Sequence, residues 1–573
     1  GGESMPDVDP VAFTSGVPDG AEVCAVENAP ANAFTTHYNV MLNLTDVGFG
    51  QRGHNKYYLI QVIEYAPTHT YWCWMRWGRV GAKKPGRKLL TLASKKSAVS
   101  HFEKKFFDKT RNRFSTLLSR TFEVVEGKYT PLEITNGQER EEERKEDEKL
   151  EEAAKKYKSQ LSPRLQSIVS LICNRSLLKQ TMEELRINTD RFPLGRLSRP
   201  QISSGHQVLQ KIEAVLAAFA SSNEGRDINL ATVGPPNYTR AYKEIVKYSS
   251  QFYTLIPHNF GMEKPPPIST YAILQRKAEL LESLGDIEVA SRLIKSGIST
   301  LDMHPVDMHY RAMHCHLRPL NMEGEEVGLI RSMMASTVGP THTEYTLSLS
   351  DVFAVRRPGE EYSIRSHYRA KNRLLLWHGT RMSNYVGILS QGLKVAPPEA
   401  ITTGHMFGKG LYFADVVTKA ANYCHCTKRS DEGLLVLAEV VVGSAFEQTS
   451  ANPKMHRPPP SYHSTKGMGR LCPNEDDRVA WPVDVTSPLP SSPSPPSSPS
   501  AATTSTIASA STPAPTSASA ASKGSGAHPP LECYAGAVQA GVDESELQYN
   551  EYIVYDSSQV CIRYLVRAKF HFD

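Results

Sequence analysis

The sequence is short of cysteine: nine in 573 residues, with no two spaced as Cys-x-x-Cys. That excludes a disulfide framework and a paired-cysteine zinc finger, and reads as a chain for a reducing, intracellular compartment. Long apolar runs are missing as well. The best stretch, 434–442, is broken by Glu439 and falls well short of the roughly 18 apolar residues a membrane helix needs. Residues 1–5, Gly-Gly-Glu-Ser-Met, offer neither a basic nor an apolar signal region, so no secretory signal is expected. The missing initiator Met suggests a fragment or a processed form. Net charge is small, +5, but it is unevenly spread. Residues 31–130 hold 17 Lys+Arg against 6 Asp+Glu, while residues 1–30 carry six acids and no base. A basic block of that size reads as a polyanion-binding surface.

The length implies three to four domains. Residues 1–35 are acidic and rich in Pro, Gly and Ala, and are expected to be a disordered tail. Residues 36–135 form the basic, β-rich domain. Runs at 57–63 and 70–77 read as strands, and Phe102, Phe106 and Phe107 give 97–108 an apolar helical face. In 139–158, sixteen of twenty positions are charged, which predicts a solvated helical linker within 136–158. Residues 159–298 read as all-α, from helical spacing of Leu161, Leu165 and Ile168, of Val208, Ile212 and Leu216, and of Leu274, Ala278 and Leu281. Residues 299–573 read as mixed α and β. They end on a long strand, 560–572, whose apolar residues alternate with Arg563, Arg567, Lys569 and His571, so it is expected to be half-buried. In 487–522, thirty-four of thirty-six residues are Ser, Pro, Thr or Ala, which makes 487–530 a disordered insertion in this domain. The fold class is multidomain α+β.

The chemistry concentrates in 374–443. A strand at 374–377 feeds His378-Gly379-Thr380, and a helix carrying Met382, Tyr385, Ile388 and Leu389 stops at Gly392. A glycine-rich loop, 404–410, leads into Leu411-Tyr-Phe413 and a helix ending at Tyr423. Glycines at strand ends beside ring-bearing side chains suit a planar ligand: the backbone can approach it and tyrosines can stack on it. The loop departs from the phosphate-binding pattern, because Gly410 stands where Ser or Thr should follow Gly-Lys. His314-Cys315-His316 and Cys424-His425-Cys426 lack partner pairs at zinc spacing, so no metal site is expected.

The ordered string His378-Gly379, Gly408-Lys-Gly-Leu-Tyr412-Phe-Ala-Asp, Asn422-Tyr423 and Tyr549-Asn-Glu551 resembles the catalytic domain of the poly(ADP-ribose) polymerases. Trp77-Gly-Arg79 resembles that family's WGR domain, and Pro193-Leu-Gly-Arg-Leu-Ser198 its helical regulatory domain. With no zinc fingers ahead of the WGR domain, the chain is similar to the short DNA-dependent members. The resemblance covers about 38–573, except the insertion. It implies three domains: a small β-rich WGR domain with a helix, an all-α regulatory domain, and a mixed α+β ADP-ribosyltransferase domain.

It also implies an activity and a site. The substrate would be NAD+, cleaved at its nicotinamide–ribose bond, with ADP-ribose passed to a protein acceptor, the enzyme itself included, or to a growing chain. Glu551, His378 and Tyr412 would be the catalytic signature. Glu551 would stabilise the positive charge developing on ribose, and His378 would hold the adenosine ribose. Gly379 would grip the carboxamide through its backbone, Tyr423 and Tyr412 would flank the ring, and Asn384 would contact ribose. Met406 resembles an acceptor-side residue. Thr380, Lys394 and Ala420 line the same NAD+ site by resemblance but depart from the family's usual Ser, Arg and Ser. The loss of a hydroxyl at Ala420 predicts weaker NAD+ binding by roughly 0.5–1.5 kcal/mol. His405 stands where close relatives carry Tyr. In the WGR domain, Trp77 and Arg79 would meet a DNA break, the arginine on a 5′-phosphate, helped by Asn55 and Tyr129. Arg76, Lys83, Lys84 and Lys104 would add phosphate attraction. A nuclear location follows from that partner. Close relatives end in Leu-Trp, which docks a serine-directing accessory factor; this chain ends at Phe572-Asp573, which puts that partnership in doubt. The rival reading is a DNA-end-binding scaffold with weak or mono-ADP-ribosyltransferase activity, and Ala420 is its one support.

Overall fold

The computed structural model describes residues 8–30, 33–80, 84–132, 137–187, 199–222, 240–296, 298, 302–401, 405–482 and 530–572. The regulatory-domain motif at 193–198 and nearly all of the 487–530 insertion lie outside the described residues. Among the described residues no helix is long and apolar enough to cross a membrane.

The basic block folds as a sheet. Strands run in the order Gly86–Leu92, Thr70–Arg79, His54–Tyr65, Asn39–Asp46 and Thr130–Leu132, with Glu22–Val23 pairing to His54–Tyr65. Helix Lys95–Thr110 starts at a Ser94–Ser97 capping box and lays Ala98, Phe102 and Phe106 on this sheet, all fully buried. Residues 8–30, within the segment that composition predicts to be a disordered tail, pack against this sheet instead. Asp9 caps helix Pro10–Phe13, accepts from Trp74 Nε1 at 3.1 Å and pairs with Arg76. Its side chain is 1% exposed. A buried charge needs its partners, and the tail reads as disordered only while those partners are out of sight.

Helix Gly137–Lys156 leads into the helical domain, whose helices include Pro163–Ile172, Arg175–Glu184, Arg199–Ser222, Arg240–Leu255 and Tyr271–Lys295. Ile168, Ile212, Phe252, Leu281 and Ile287 fill its core.

The C-terminal domain carries a seven-stranded sheet, ordered Arg478–Ala480, Leu531–Tyr534, Arg373–Gly379, Glu432–Val441, Val560–Phe572, Tyr345–Arg356 and His316–Pro319. A four-stranded sheet places Leu411–Phe413 beside Glu551–Val554, followed by Ser464–Gly467 and Ala445–Gln448. The Ser/Pro/Ala insertion falls between two adjacent antiparallel strands, Arg478–Ala480 and Leu531–Tyr534. The C-terminal strand is not half-buried along its length. It lies between two neighbours, and residues 560–566 are buried on both faces. Arg563, expected at the surface, is 4% exposed and donates to Glu439, which is itself fully buried. Arg373 closes the other side of that carboxylate at 2.7 Å.

Candidate active site

Strand Arg373–Gly379 ends with His378 and Gly379. A Cβ on Gly379 would lie 1.9 Å from Ala420 O and 3.2 Å from Leu435. Close approach of two backbones, rather than a turn, therefore demands glycine here. His378 Nδ1 is 3.0 Å from Tyr412 O. A carbonyl oxygen only accepts, so Nδ1 carries the proton and Nε2 is left as an acceptor. Burial lowers the imidazole pKa and keeps the ring neutral.

Tyr412 sits on the short strand paired with Glu551–Val554. Its hydroxyl donates to Gly408 O at 2.6 Å and accepts from Phe407 N–H at 3.1 Å. The ring is thus a fixed wall, and burial raises its pKa further from titration. Asn384 Nδ2 donates to Thr380 Oγ1 at 2.9 Å, and Lys394 donates to Gln391 Oε1. Tyr423, on the turn after helix Val417–Ala421, remains 53% exposed, with its ring open to a stacking partner.

Glu551 is held from below. Lys419 Nζ lies 2.8 Å from its Oε1 and donates to the carbonyls of Tyr549 at 3.2 Å and Asn550 at 3.0 Å. The other carboxylate oxygen, Oε2, is buried and has no hydrogen-bond partner among the described residues. A buried carboxylate oxygen without a donor is costly, and Glu551 is one of the residues that line the cleft. Lys419 is not the solvated helix lysine that its neighbours in sequence suggest. Its partners come from a distant strand, and no local signal marks them.

His378, Gly379, Thr380, Asn384, Lys394, Tyr412, Ala420, Tyr423 and Glu551 all line one cleft of about 1280 Å³. His405 and Met406 line it too, with the His405 ring 5.5 Å from that of Tyr412. The helical domain supplies another wall. Glu279, Glu282 and Asp286 of helix Tyr271–Lys295 face the same space. Burial, then the charges of Asp286 and Glu279, pushes Glu282 up to about 7. Burial also pushes Asp286 up to about 7, against the pull of Lys394. No cluster of three or more His, Cys, Asp or Glu that could hold a metal ion occurs among the described residues.

The four residues assigned to DNA lie apart from this cleft and fare differently. Trp77 stacks on Tyr58 at 5.5 Å, and Tyr129 meets Tyr58 edge-on at 6.2 Å. Lys109 caps this aromatic group, 4.4 Å over the Tyr58 ring. Asn55, expected beside a DNA end, is fully buried, with its amide taken up by protein partners. It donates to His258 O at 3.0 Å and accepts from Thr45 Oγ1 at 3.2 Å. Arg79 donates to four carbonyls: Gly261 at 2.9 Å, Gly53 at 3.1 Å, Arg52 at 3.3 Å and Glu263 at 2.6 Å. Two of them belong to the helical domain. Arg76 is paired with Asp9 rather than open to phosphate, and Lys83 lies outside the described residues.

Family models match along the chain in the same order as these domains: the WGR domain at 38–120, the poly(ADP-ribose) polymerase regulatory domain at 159–310, and the poly(ADP-ribose) polymerase catalytic domain at 324–506 and 497–570. Poly [ADP-ribose] polymerase 2 of Homo sapiens is 40% identical over 93% of this chain and 80% of that protein. The chain belongs to the poly(ADP-ribose) polymerase family. Poly [ADP-ribose] polymerase 2-A of Oryza sativa subsp. japonica is 34% identical over 93% of the chain and 70% of that protein. Poly [ADP-ribose] polymerase 1 of Danio rerio is 35% identical over 94% of the chain, which spans 45% of that longer relative. As a poly(ADP-ribose) polymerase, the chain carries an NAD+ ADP-ribosyltransferase domain, and the cleft lies between it and the helical domain.

Proposed function

We propose that this protein is a poly(ADP-ribosyl)transferase switched on by DNA strand breaks, modifying itself and chromatin proteins in the nucleus. The observation that carries the reading is Glu551. One carboxylate oxygen is anchored on Lys419 and the other has no partner among the described residues, in the same cleft as the Gly379 backbone and the Tyr423 ring.

In this reading the glycosidic C–N bond of NAD+ breaks, and nicotinamide leaves with the bonding pair. The acceptor hydroxyl oxygen then bonds to C1′ of the ribose and its proton passes to solvent. The Gly379 backbone and Tyr423 orient the departing ring. The neutral His378 offers Nε2 to a ribose hydroxyl. The free oxygen of Glu551 accepts a hydrogen bond from ribose and offsets the positive charge that develops at C1′. A fixed carboxylate pays no reorganisation cost at that moment.

Regulation follows from the other wall of the cleft. Helix Tyr271–Lys295 lines the same cleft as Glu551, and the chain leading into it is held by Asn55 at residue 258 and by Arg79 at residues 261 and 263. A DNA 5′-phosphate would compete with those carbonyls for the Arg79 guanidinium, because an anionic acceptor outbids a neutral one. Release of the 261–263 segment would shift the population towards an open cleft. Protein ADP-ribosylation from labelled NAD+, with and without 5′-phosphorylated nicked DNA, tests this. Long polymer dependent on DNA and lost in Glu551→Gln is expected. Normal DNA binding without any incorporation would overturn the enzyme reading and leave a scaffold.

A further inference from the structure

Asp415 has no part in the site as described so far, although its surroundings single it out. It lies between strand Leu411–Phe413 and helix Val417–Ala421 and is 2% exposed. Its Oδ2 accepts from Asn550 Nδ2 at 2.7 Å and from Tyr552 O–H at 3.2 Å. Those are the two residues that flank Glu551. Along a strand, alternate side chains point to opposite faces, so Asp415 grips the back of the strand whose front carries Glu551. Asn550 is fixed at both ends of its amide. Its Oδ1 accepts from Gly469 N–H at 2.8 Å, which leaves the NH2 group for Asp415. Beyond Tyr552 stands Tyr534, whose hydroxyl donates to Glu475 Oε1 at 3.0 Å and accepts from Arg478 at 2.7 Å.

The same short segment of chain holds Glu551 twice. Lys419, four residues after Asp415, binds the Tyr549 and Asn550 carbonyls and the Glu551 carboxylate itself. Asp415 Oδ1, by contrast, is buried with no partner among the described residues. A group kept only for folding would be expected to satisfy both oxygens.

We propose that Asp415 is a positioning residue: through Asn550 and Tyr552 it sets the height and orientation of Glu551, so that the Lys419 pair leaves one carboxylate oxygen aimed at the ribose. The proposal rests on the reading of Glu551 as the catalytic carboxylate. A displacement of about 1 Å at a reacting group costs on the order of 100-fold in rate, and the strand has no other side-chain anchor on Asn550 Nδ2 among the described residues.

The test uses the full chain with activating DNA. Asp415→Ala and the milder Asp415→Asn are made in the wild-type and in the Glu551→Gln backgrounds. Asp415→Ala is expected to lower kcat by roughly 10- to 100-fold with KM nearly unchanged. Inhibition by free nicotinamide, which reads the carboxamide end of the cleft, is expected to stay the same. In the Glu551→Gln background the further loss should nearly vanish, because the effect travels through Glu551. Asn550→Asp alone sets acceptor against acceptor and should lower kcat, and adding Asp415→Asn should restore part of it, since the exchange rebuilds a donor–acceptor pair. A kcat loss of equal size in both backgrounds, or an unchanged kcat for the folded fraction, would overturn the proposal. Should Asp415→Ala fail to fold, Tyr552→Phe, which removes one of the two donors to Asp415 Oδ2, carries the same comparison. A fully active Glu551→Gln enzyme would instead overturn the assignment of Glu551 itself.

Discussion

Lys419 holds one oxygen of the Glu551 carboxylate at 2.8 Å and leaves the other without a partner among the described residues. The pair is largely shielded from water, with side-chain exposures of 15% and 13%. An ion pair that leaves half its acceptor unused fits a carboxylate with work to do on a substrate.

Replacing Lys419 by Met should therefore lower kcat more than it changes KM. A charge-assisted hydrogen bond contributes about 1.5–3 kcal/mol, which corresponds to roughly a 10- to 100-fold loss in rate. Steady-state kinetics on the DNA-activated enzyme would show it. A change confined to KM would mean that the lysine binds substrate instead of holding Glu551.

The acidic wall of the cleft predicts a pH effect. Glu282 and Asp286 are each raised to about 7 by burial, with Glu279 and Asp286 adding to the first and Lys394 opposing the second. A carboxyl whose folded pKa is raised favours the packed state while protonated, and loses that contribution as pH rises through the folded value. The seating of helix Tyr271–Lys295 should thus weaken as pH climbs through about 7. Basal activity without DNA should rise over the same window. Glu282→Gln with Asp286→Asn should flatten both curves. Amide hydrogen exchange of this helix against pH is the direct measurement.

Asn55→Ala removes a buried amide that bridges two domains. His258 O and Thr45 Oγ1 would each lose that partner. The cost should be about 1–3 kcal/mol, readable in denaturant unfolding. DNA-independent activity should increase if this bond helps to seat the helical domain. A variant less stable but equally dependent on DNA would confine Asn55 to a folding role.

Ala420→Ser places a hydroxyl in the cleft beside the Gly379 backbone. One added neutral hydrogen bond contributes about 0.5–1.5 kcal/mol, so KM for NAD+ should fall by roughly 2- to 10-fold. An unchanged KM would show that the departure from the family's usual serine carries no penalty in this chain.

Much of this protein is legible along the chain. Runs of β-branched and aromatic residues mark the strands at 57–63 and 70–77, threefold and fourfold spacing marks the helical domain, and a charge run marks the linker. These signals are local: each depends on which face of an element is apolar, and neighbours in sequence decide that. The family signature, too, is a string of residues, and His378, Gly379, Tyr412, Tyr423 and Glu551 do converge on one cleft.

Charged and polar residues resist the same treatment. Asp9 reads as part of a disordered tail until Trp74 and Arg76 are placed against it. Arg563 reads as a surface residue until Glu439 and Arg373 close around it. Asn55 reads as a DNA contact until His258 arrives from another domain, and Lys419 as a solvated lysine until Glu551 does. In each case the partner lies far along the chain, and the free energy of a buried charge or amide depends on that partner almost entirely. Periodicity and motif determined which elements form and which family signature they carry. Only the tertiary structure decided which polar groups are paired and which are left free, because hydrogen bonding is directional and short-ranged and has no sequence period.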